Sequence, residues 1–345
     1  MALLAGTGGT SGAPKVAQAT HRSLVANTVQ FRQWAAPWGE GTEVMAAALP
    51  LFHLFGLIVS MSVGVMIGAT LLLIADPRDA AALAVALAEH QATLLPAVPV
   101  IFQALCREAT PAQLRSVRWA ISGAAALPMS VKADFEALSG ARLVEGFGLT
   151  EAMVVTHCNP MRGENRPGSI GLPLPDVEAR IVGLDESAVQ ARLTPGELGE
   201  LVVRGPALMA GYFARPDETA LVLRAGWLHT GDVGHMDADG YFYVLGRQKD
   251  VIKVGGLQVW PREVEDVIAA LPQVAEAAVA GGLHLEHGET VKAWVVLKPG
   301  QALSAEEVRA ACRQKLAIYK APREVVFVDQ LPRTAAGKVL RRELR

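Results

Sequence analysis

The stretch Thr7-Gly8-Gly9-Thr10-Ser11-Gly12-Ala13-Pro14-Lys15 decides the fold, and it follows a short apolar run, Ala2–Ala5, that predicts a strand. Glycines let a backbone approach a polyphosphate closely, hydroxyls and amides donate hydrogen bonds to it, and Lys15 adds positive charge. The loop differs from a Walker A loop, because no Gly-Lys-Ser or Gly-Lys-Thr occurs. A glycine-rich loop is often only a turn, but this order of residues predicts a phosphate-binding loop.

The first half of the chain alternates between strand-like and helix-like stretches. A helical stretch begins near Ser23, which is a candidate N-cap. Apolar runs with helical stretches between them predict buried strands at Val44–Leu49, Thr70–Ala75, Ala92–Leu95 and Trp119–Ser122. Alternation of this kind predicts an α/β domain with a mostly parallel sheet.

An uncharged stretch, Leu54–Ala75, is long enough to span a bilayer. Ser60 and Gly64 dilute its apolarity, and Gly68 resembles a helix stop before a strand-like run. We therefore predict a buried helix followed by a buried strand, and no transmembrane segment.

Composition indicates a globular protein, because 51% of the 345 residues are hydrophobic and 19% are charged. The formal net charge of −2 gives no reason to expect nucleic-acid binding. Cys106, Cys158 and Cys312 are far apart, which disfavours a zinc site and fits the reducing cytoplasm.

The pattern changes twice further along the chain. After Leu172, short strands between Pro, Gly and Asp turns predict a small antiparallel sheet or an open barrel. After Arg247, helices at Pro261–Leu271 and Ala305–Leu316, the second with a Ser304 capping box, predict a small α+β domain. We predict three parts: an α/β core at 1–172, a β-rich subdomain at 173–247 and a C-terminal α+β mobile domain at 248–345.

The loop, together with Thr20-His21-Arg22, resembles the signature of the adenylate-forming superfamily, which contains acyl-CoA synthetases, aryl-CoA ligases, luciferases and peptide-synthetase adenylation domains. The resemblance covers essentially the whole chain. Gly8-Gly9 and Thr156-His157-Cys158-Asn159-Pro160 are most similar to bacterial fatty acyl-CoA ligases. Val16 departs from the glycine usual in the family. The resemblance implies that ATP phosphates contact Thr7, Gly8, Gly9, Thr10, Ser11, Gly12 and Lys15.

Gly146-Phe147-Gly148-Leu149-Thr150-Glu151 resembles the family's aromatic-Gly-x-Thr-Glu motif. The resemblance implies that Phe147 stacks on adenine, that Thr150 contacts a phosphate and that Glu151 holds Mg²⁺, a cation that prefers oxygen ligands. Relatives more often have tyrosine where Phe147 stands. Gly148 belongs to the implied acyl pocket, and Gly123 and Ala124 belong to a segment between that pocket and adenine. Small residues of this kind also occur in tight packing.

Three further residues match ribose and acyl motifs of the family. Gly226–Asp232 resembles the motif whose aspartate binds the ribose hydroxyls, and Gly246-Arg247 resembles the motif whose arginine also reaches the ribose. Pro50–Gly56 resembles the segment that places a histidine, here His53, at the carboxylate end of the acyl pocket. Read alone, Asp232 fits a turn, Arg247 a surface residue and His53 a core residue.

The C-terminal motifs imply a mobile domain. Lys249 matches the family's hinge position, and Lys253, Gly256 and Gln258 match a loop that lines the pantetheine path. Lys338, in Pro332–Lys338, matches the catalytic lysine that contacts the carboxylate and the α-phosphate. Without the resemblance, Lys338 is one lysine in a basic tail.

The implied reaction converts a carboxylic acid, ATP and CoA into acyl-CoA, AMP and pyrophosphate through acyl-AMP, with Mg²⁺. Relatives have a long segment before the phosphate loop, whereas Met1 lies just before this one, so we expect the C-terminal two thirds of a ligase. Three hypotheses are open: a fatty acyl-CoA ligase, a non-catalytic homologue that keeps nucleotide binding, or an enzyme that loads a carrier protein. We expect a cytoplasmic protein. Peripheral attachment to a membrane, a homodimer and a partner that completes the large domain are open alternatives.

Overall fold

The computed structural model describes residues 1–7, 15–184, 192–284, 288–333 and 339–344. The chain forms two compact units. One includes Ala13–Thr230 and His235–Tyr243, and the other includes Gly231–Gly234 and Val244–Arg345. Within the described ranges, no helix is both long and apolar enough to cross a membrane.

An antiparallel hairpin begins the first unit, with β1 at Leu3–Gly6 and β2 at Val16–Ala19. Helix α1 (His21–Trp34) follows at once, and the hydroxyl of Thr20 accepts the Ser23 backbone N–H at 2.9 Å. The prediction that Ser23 is the N-cap is therefore wrong. Thr20 has the extended backbone of a cap residue (φ −95°, ψ 160°), and Ser23 lies in the first turn, where its hydroxyl completes the capping box.

A seven-stranded sheet forms the centre of the first unit, in the order β4-β3-β5-β6-β7-β8-β9. Neighbours from β4 to β7 are parallel, and β8 and β9 are antiparallel, so the predicted mostly parallel sheet is confirmed. The strands are β3 (Val44–Ala47), β4 (Thr70–Leu73), β5 (Leu94–Ala97), β6 (Trp119–Ser122), β7 (Arg142–Phe147), β8 (His157–Cys158) and β9 (Leu172–Pro173).

Helices connect these strands and bury their apolar faces in one core. Leu94 and Leu95 on β5 are fully buried, and so are Phe102 and Phe135, whose rings meet edge to face at 4.8 Å. The helices are α2 (Val63–Met66), α3 (Ala80–Glu89), α4 (Pro99–Glu108), α5 (Pro111–Leu114) and α6 (Met129–Ser139).

The uncharged stretch is helical, then stops, and then forms a strand, as predicted. A π-helical segment (Gly56–Ser62) leads into α2, and Gly68 ends the helix with φ +66°. The prediction that the following strand is buried is wrong, because β4 is an edge strand with only β3 beside it among the described strands. Leu73 is accordingly 68% exposed.

The predicted small antiparallel sheet is confirmed in the middle of the chain. Its order is β10-β11-β13-β12, with β14 also paired to β13. Helix α7 (Pro216–Val222) precedes β12. The strands are β10 (Glu178–Val182), β11 (Gly199–Arg204), β12 (Leu223–Arg224), β13 (Trp227–Met236) and β14 (Phe242–Arg247).

The C-terminal part is α+β, as predicted. Ser304 caps α9 with a complete capping box, and Cys312 on that helix is fully buried in the core of the second unit. β19 pairs parallel with β18 in an otherwise antiparallel sheet. The elements are β15 (Ile252–Val254), β16 (Leu257–Val259), α8 (Pro261–Ala269), β17 (Val274–His284), β18 (Gly288–Leu297), α9 (Ala305–Lys315) and β19 (Glu324–Phe327). The three-part division at 172 and 247 stays a prediction.

Candidate functional site

The two ends of the predicted phosphate loop meet where β1 ends and β2 begins. The Thr7 backbone N–H donates to the Lys15 carbonyl at 2.8 Å, and the Thr7 hydroxyl donates to the same oxygen at 3.1 Å. Five predicted phosphate contacts, Gly8, Gly9, Thr10, Ser11 and Gly12, lie outside the described residues. The hairpin thus brings together Thr7 and Lys15, the two ends of the predicted loop.

Lys15 contacts two side chains that the sequence reading did not connect with it. Its Nζ lies 2.8 Å from Oε2 of Glu218, on α7, and 4.8 Å from the ring centroid of Tyr212. The hydrogen bond from Lys15 lowers the pKa of the Glu218 carboxyl below its usual value. A carboxylate and an aromatic face therefore stabilise the positive charge at the end of the loop.

Glu151 lies in a short 3₁₀ turn, Thr150–Ala152, just after β7. Its Oε1 accepts a hydrogen bond from the Tyr212 hydroxyl at 2.7 Å, and its backbone carbonyl accepts the Met209 N–H at 2.8 Å. The side chain and the main chain of Glu151 are thus both held.

The surroundings of Glu151 fit the predicted Mg²⁺. The described part of the chain holds no group of three or more His, Cys, Asp or Glu that could bind a metal. Mg²⁺ is typically bound by one or two carboxylates, with substrate phosphates and water as its other ligands. A single, oriented carboxylate suits that mode of binding.

The segment between Phe147 and Val155 is tightly constrained. A Cβ on Gly148 would lie 1.3 Å from the Val154 carbonyl oxygen, so only glycine fits there. Val154 has φ +107°, which is strained for a β-branched residue. Asn27 on α1 holds the strained segment, because its amide donates to the Val155 carbonyl at 2.7 Å and accepts the Val155 N–H at 3.1 Å.

The adenine candidate, Phe147, is half-buried at the end of β7, directly opposite His157 on β8. Their rings lie 6.1 Å apart, edge to face. His157 is fully buried, its Nδ1 is 3.0 Å from the Thr156 hydroxyl, and burial lowers its pKa to about 3. His157 is therefore neutral, and its ring packs against the Phe147 ring.

His53, the histidine candidate of the acyl pocket, lies in a segment that contacts Gly123 through the Phe55 ring. His53 Nδ1 accepts the Phe55 N–H at 3.2 Å, and burial lowers the pKa of His53. The neutral ring consequently carries its proton on Nε2, where it can act as a donor. A Cβ on Gly123 would lie 2.8 Å from the Phe55 ring, so glycine permits this contact, and Ala124 has φ +67°.

The two predicted ribose residues form an ion pair in the second unit. Arg247 Nε lies 2.8 Å from Asp232 Oδ1, with Asp232 on β13 and Arg247 at the end of β14. The Asp232 side chain is 6% exposed and the Arg247 side chain is 32% exposed. The structure brings the carboxylate and the guanidinium together, as a shared ribose contact requires.

The remaining candidates lie in the C-terminal part. Lys249 is exposed in a 3₁₀ turn, Gln248–Asp250, directly after β14. Lys253 and Gln258 are exposed and face each other across the β15–β16 hairpin, whose two-residue turn needs positive φ at Gly255 (+55°) and Gly256 (+84°). Lys338 lies outside the described residues.

Sequence reading missed Asn27, Tyr212 and Glu218, each of which contacts a predicted site residue or its segment. Each lies far along the chain from the residue that it contacts. Local patterns do not report such pairings, and Gly211-Tyr212 offers no motif by itself.

Comparison with known proteins settles the family. The family described as AMP-binding enzyme matches residues 1–213, and the AMP-binding enzyme C-terminal domain matches residues 263–338. The chain belongs to the AMP-binding enzyme family. The long-chain-fatty-acid–CoA ligase of Bacillus subtilis strain 168 is 43% identical over 348 residues, and that of Escherichia coli O157:H7 is 40% identical. Each match covers 100% of this chain and 61% of the relative.

Solved structures of the same family agree. ATP-bound MatB from Rhodopseudomonas palustris superposes with a TM-score of 0.90 at 33% identity, covering 99% of this chain and 67% of that one. MenE from Bacillus subtilis in complex with ATP and a magnesium ion gives 0.85 at 31% identity, covering 99% and 69%. The predicted fold class and the predicted resemblance to bacterial fatty acyl-CoA ligases are confirmed, and the chain spans about three fifths of the length of the curated relatives it matches.

Proposed function

We propose that the chain activates a carboxylic acid with ATP, forming acyl-AMP and pyrophosphate, and then transfers the acyl group to CoA with release of AMP. One observation carries this proposal. Lys15 and Glu151, the phosphate and magnesium candidates of two distant motifs, both contact Tyr212. The names of the relatives, which include long-chain-fatty-acid–CoA ligases, support a fatty acid as the substrate.

In the first step, a carboxylate oxygen attacks the α-phosphorus and the bond to pyrophosphate breaks. Thr7, Lys15 and the loop between them hold the phosphates, and Thr150 donates to a phosphate oxygen. Mg²⁺, when bound at Glu151, neutralises phosphate charge. Lys338 stabilises the charge that develops between the carboxylate and the α-phosphate.

Substrate recognition is divided among the remaining candidates. Phe147 stacks on adenine, beside Gly123 and Ala124, and Asp232 and Arg247 bind the ribose hydroxyls. His53 directs its Nε2–H toward the carboxylate of the acid, and the backbone at Gly148 lines the acyl pocket.

In the second step, the CoA thiolate attacks the acyl carbonyl and AMP leaves. Lys253, Gly256 and Gln258 line the path of the pantetheine arm, and Lys249 is the hinge residue at the start of the C-terminal part. A cytoplasmic location, with or without attachment at a membrane surface, fits this chemistry. A homodimer or a partner chain is compatible with it.

ATP–pyrophosphate exchange tests the proposal directly. Purified protein is assayed with a series of fatty and aromatic acids, and Glu151→Gln serves as the impaired variant. The proposal predicts exchange that depends on the acid and is at least about tenfold slower in Glu151→Gln. Nucleotide binding without exchange for any acid would instead indicate a non-catalytic homologue. Exchange without acyl-CoA formation would favour loading of a carrier protein.

A further inference from the structure

The main chain around Tyr212 extends the hairpin that carries the phosphate loop. The Gln18 N–H donates to the Gly211 carbonyl at 2.9 Å, and the Phe213 N–H donates to the Val16 carbonyl at 2.7 Å. Ala17 and Tyr212 form an antiparallel bridge between these bonds. Tyr212 therefore lies opposite Ala17, on the strand that follows the phosphate loop.

The side chain of Tyr212 joins the two ends of the candidate site. It is 6% exposed, its ring lies beneath the Lys15 ammonium, and its hydroxyl donates to Glu151. A hydrogen bond to a carboxylate is stronger than one between neutral groups, and it limits the rotamers that the carboxylate can adopt. Tyr212 thus contacts both the Lys15 cation, which Glu218 also holds, and the carboxylate proposed to hold the metal.

We propose that Tyr212 is a positioning residue that aligns Glu151 with Lys15, so that Mg²⁺ and the ATP phosphates are bound together. The proposal rests on the proposed function, because it assigns Mg·ATP to this site. Tyr212 is proposed to act without contacting the reacting atoms. It acts by orienting the Glu151 carboxylate.

A purely structural role for Tyr212 makes a different prediction. Its ring packs with Ala17, Ala19, Met153, Ala207 and Met209 in a small core. If packing were its whole contribution, Tyr212→Phe would keep the ring, change stability modestly and leave the metal dependence unchanged. The concentration of Mg²⁺ needed for ATP binding therefore separates the two roles.

The experiment measures ATP binding by calorimetry, and pyrophosphate exchange, across a range of Mg²⁺ concentrations. For Tyr212→Phe we expect the half-saturating Mg²⁺ concentration to rise about tenfold, with ATP binding in the absence of Mg²⁺ unchanged. The matched control is Tyr243→Phe, because the Tyr243 hydroxyl also donates to a carboxylate, that of Asp237, at 3.2 Å. The control should behave as the wild type does.

A double-mutant cycle tests whether Tyr212 acts through Glu151. In the Glu151→Gln background, Tyr212→Phe should have no further effect on the Mg²⁺ dependence, because the oriented carboxylate is already gone. Equal Mg²⁺ dependence in wild type and Tyr212→Phe, or an undiminished effect in the Glu151→Gln background, would overturn the proposal.

The failure of this inference is distinct from that of the proposed function. Wild-type protein that binds Mg·ATP but catalyses no exchange contradicts the proposed function, and the calorimetric comparison still decides the role of Tyr212. Wild-type protein whose ATP binding does not respond to Mg²⁺ contradicts both. Normal exchange with a Tyr212→Phe variant identical to wild type contradicts the inference alone.

Discussion

Arg247 Nε lies 2.8 Å from Oδ1 of Asp232. This ion pair joins the two predicted ribose residues, which lie on the successive strands β13 and β14. The Asp232 side chain is almost fully buried. Its negative charge therefore needs the Arg247 partner more than the charge of a solvent-exposed carboxylate would. The pair therefore presents a carboxylate whose direction is fixed before a nucleotide binds.

Asp232→Asn should weaken binding of ATP and reduce discrimination against deoxyribose. A carboxylate accepts hydrogen bonds from both ribose hydroxyls, and an amide accepts them less strongly, so we expect ATP affinity to fall about 10- to 100-fold. The wild type should bind ATP better than 2′-deoxy-ATP or 3′-deoxy-ATP, and the variant should show a smaller preference. Calorimetry with the three nucleotides measures both effects.

The matched control for that variant is Glu178→Gln. Glu178 pairs with Arg204 through an exposed ion pair on the same sheet, and neither is a predicted site residue. Nucleotide preferences equal to wild type in Asp232→Asn would contradict the ribose role.

Asn27→Ala should destabilise the first unit, because Asn27 satisfies both backbone groups of Val155. Leaving that buried N–H and carbonyl without partners should lower the free energy of unfolding by about 2–4 kcal/mol. Urea unfolding measures the change. Asn165→Ala, which removes one partly buried bond to the Leu143 carbonyl, is the milder control.

Asn27→Asp adds a pH dependence with a definite sign. An ionised aspartate still accepts the Val155 N–H, but it places negative charge against the Val155 carbonyl, so burial and this contact should raise its pKa. Protonation restores a donor, and the stability deficit relative to wild type should shrink as the pH falls from 8 to 5. A deficit that stays constant or grows would contradict the pairing.

Gly148→Ala should be among the most damaging single methyl additions in this chain. The added carbon would lie 1.3 Å from the Val154 carbonyl oxygen, so the strained segment would have to move. We expect a loss of about 3 kcal/mol or more in the free energy of unfolding, or failure to fold. Gly282→Ala is the control, because its nearest neighbour would be an ordinary 3.6 Å contact with Thr290. Similar stabilities for the two variants would contradict the tight approach at Gly148.

His157 should make the protein less stable in mild acid. Burial lowers its pKa to about 3, against about 6.5 in an unfolded chain, so the unfolded chain binds more protons between these values. Stability is complete above pH 6.5 and falls as the pH falls, by about 2 kcal/mol from pH 7 to pH 5 for this residue. His53, whose pKa is also lowered by burial, acts in the same direction.

Urea unfolding of His157→Phe tests that dependence. The variant should lose less stability than wild type between pH 7 and pH 5, because no imidazole has to be protonated on unfolding. His90→Gln, at an exposed position after α3, should keep the wild-type dependence. A His157→Phe profile parallel to wild type would show that His157 does not account for the loss.

Local sequence features predicted much of the fold, because they depend on neighbouring residues. Gly68 ended its helix and Ser304 began one where the pattern indicated. Ser23 was misread because two hydroxyls, at Thr20 and Ser23, reciprocally complete one capping box. β4 was misread because apolar composition does not reveal whether a strand lies at the edge of a sheet.

The candidate site was predictable only as separate motifs. Resemblance to a family nominated Lys15, Glu151 and Asp232 one by one, since each lies in its own short pattern. Tyr212 and Glu218 follow no such pattern, and their contacts with Lys15 arise from packing of segments that lie far apart in the chain. Long-range pairings of this kind require the structure.

ATP–pyrophosphate exchange by the purified chain, measured with long-chain fatty acids and Mg²⁺, is the decisive test of acid activation. Exchange should require both the acid and Mg²⁺ and should fall sharply in Glu151→Gln. Protein that binds Mg·ATP but gives no exchange with any fatty or aromatic acid would contradict it.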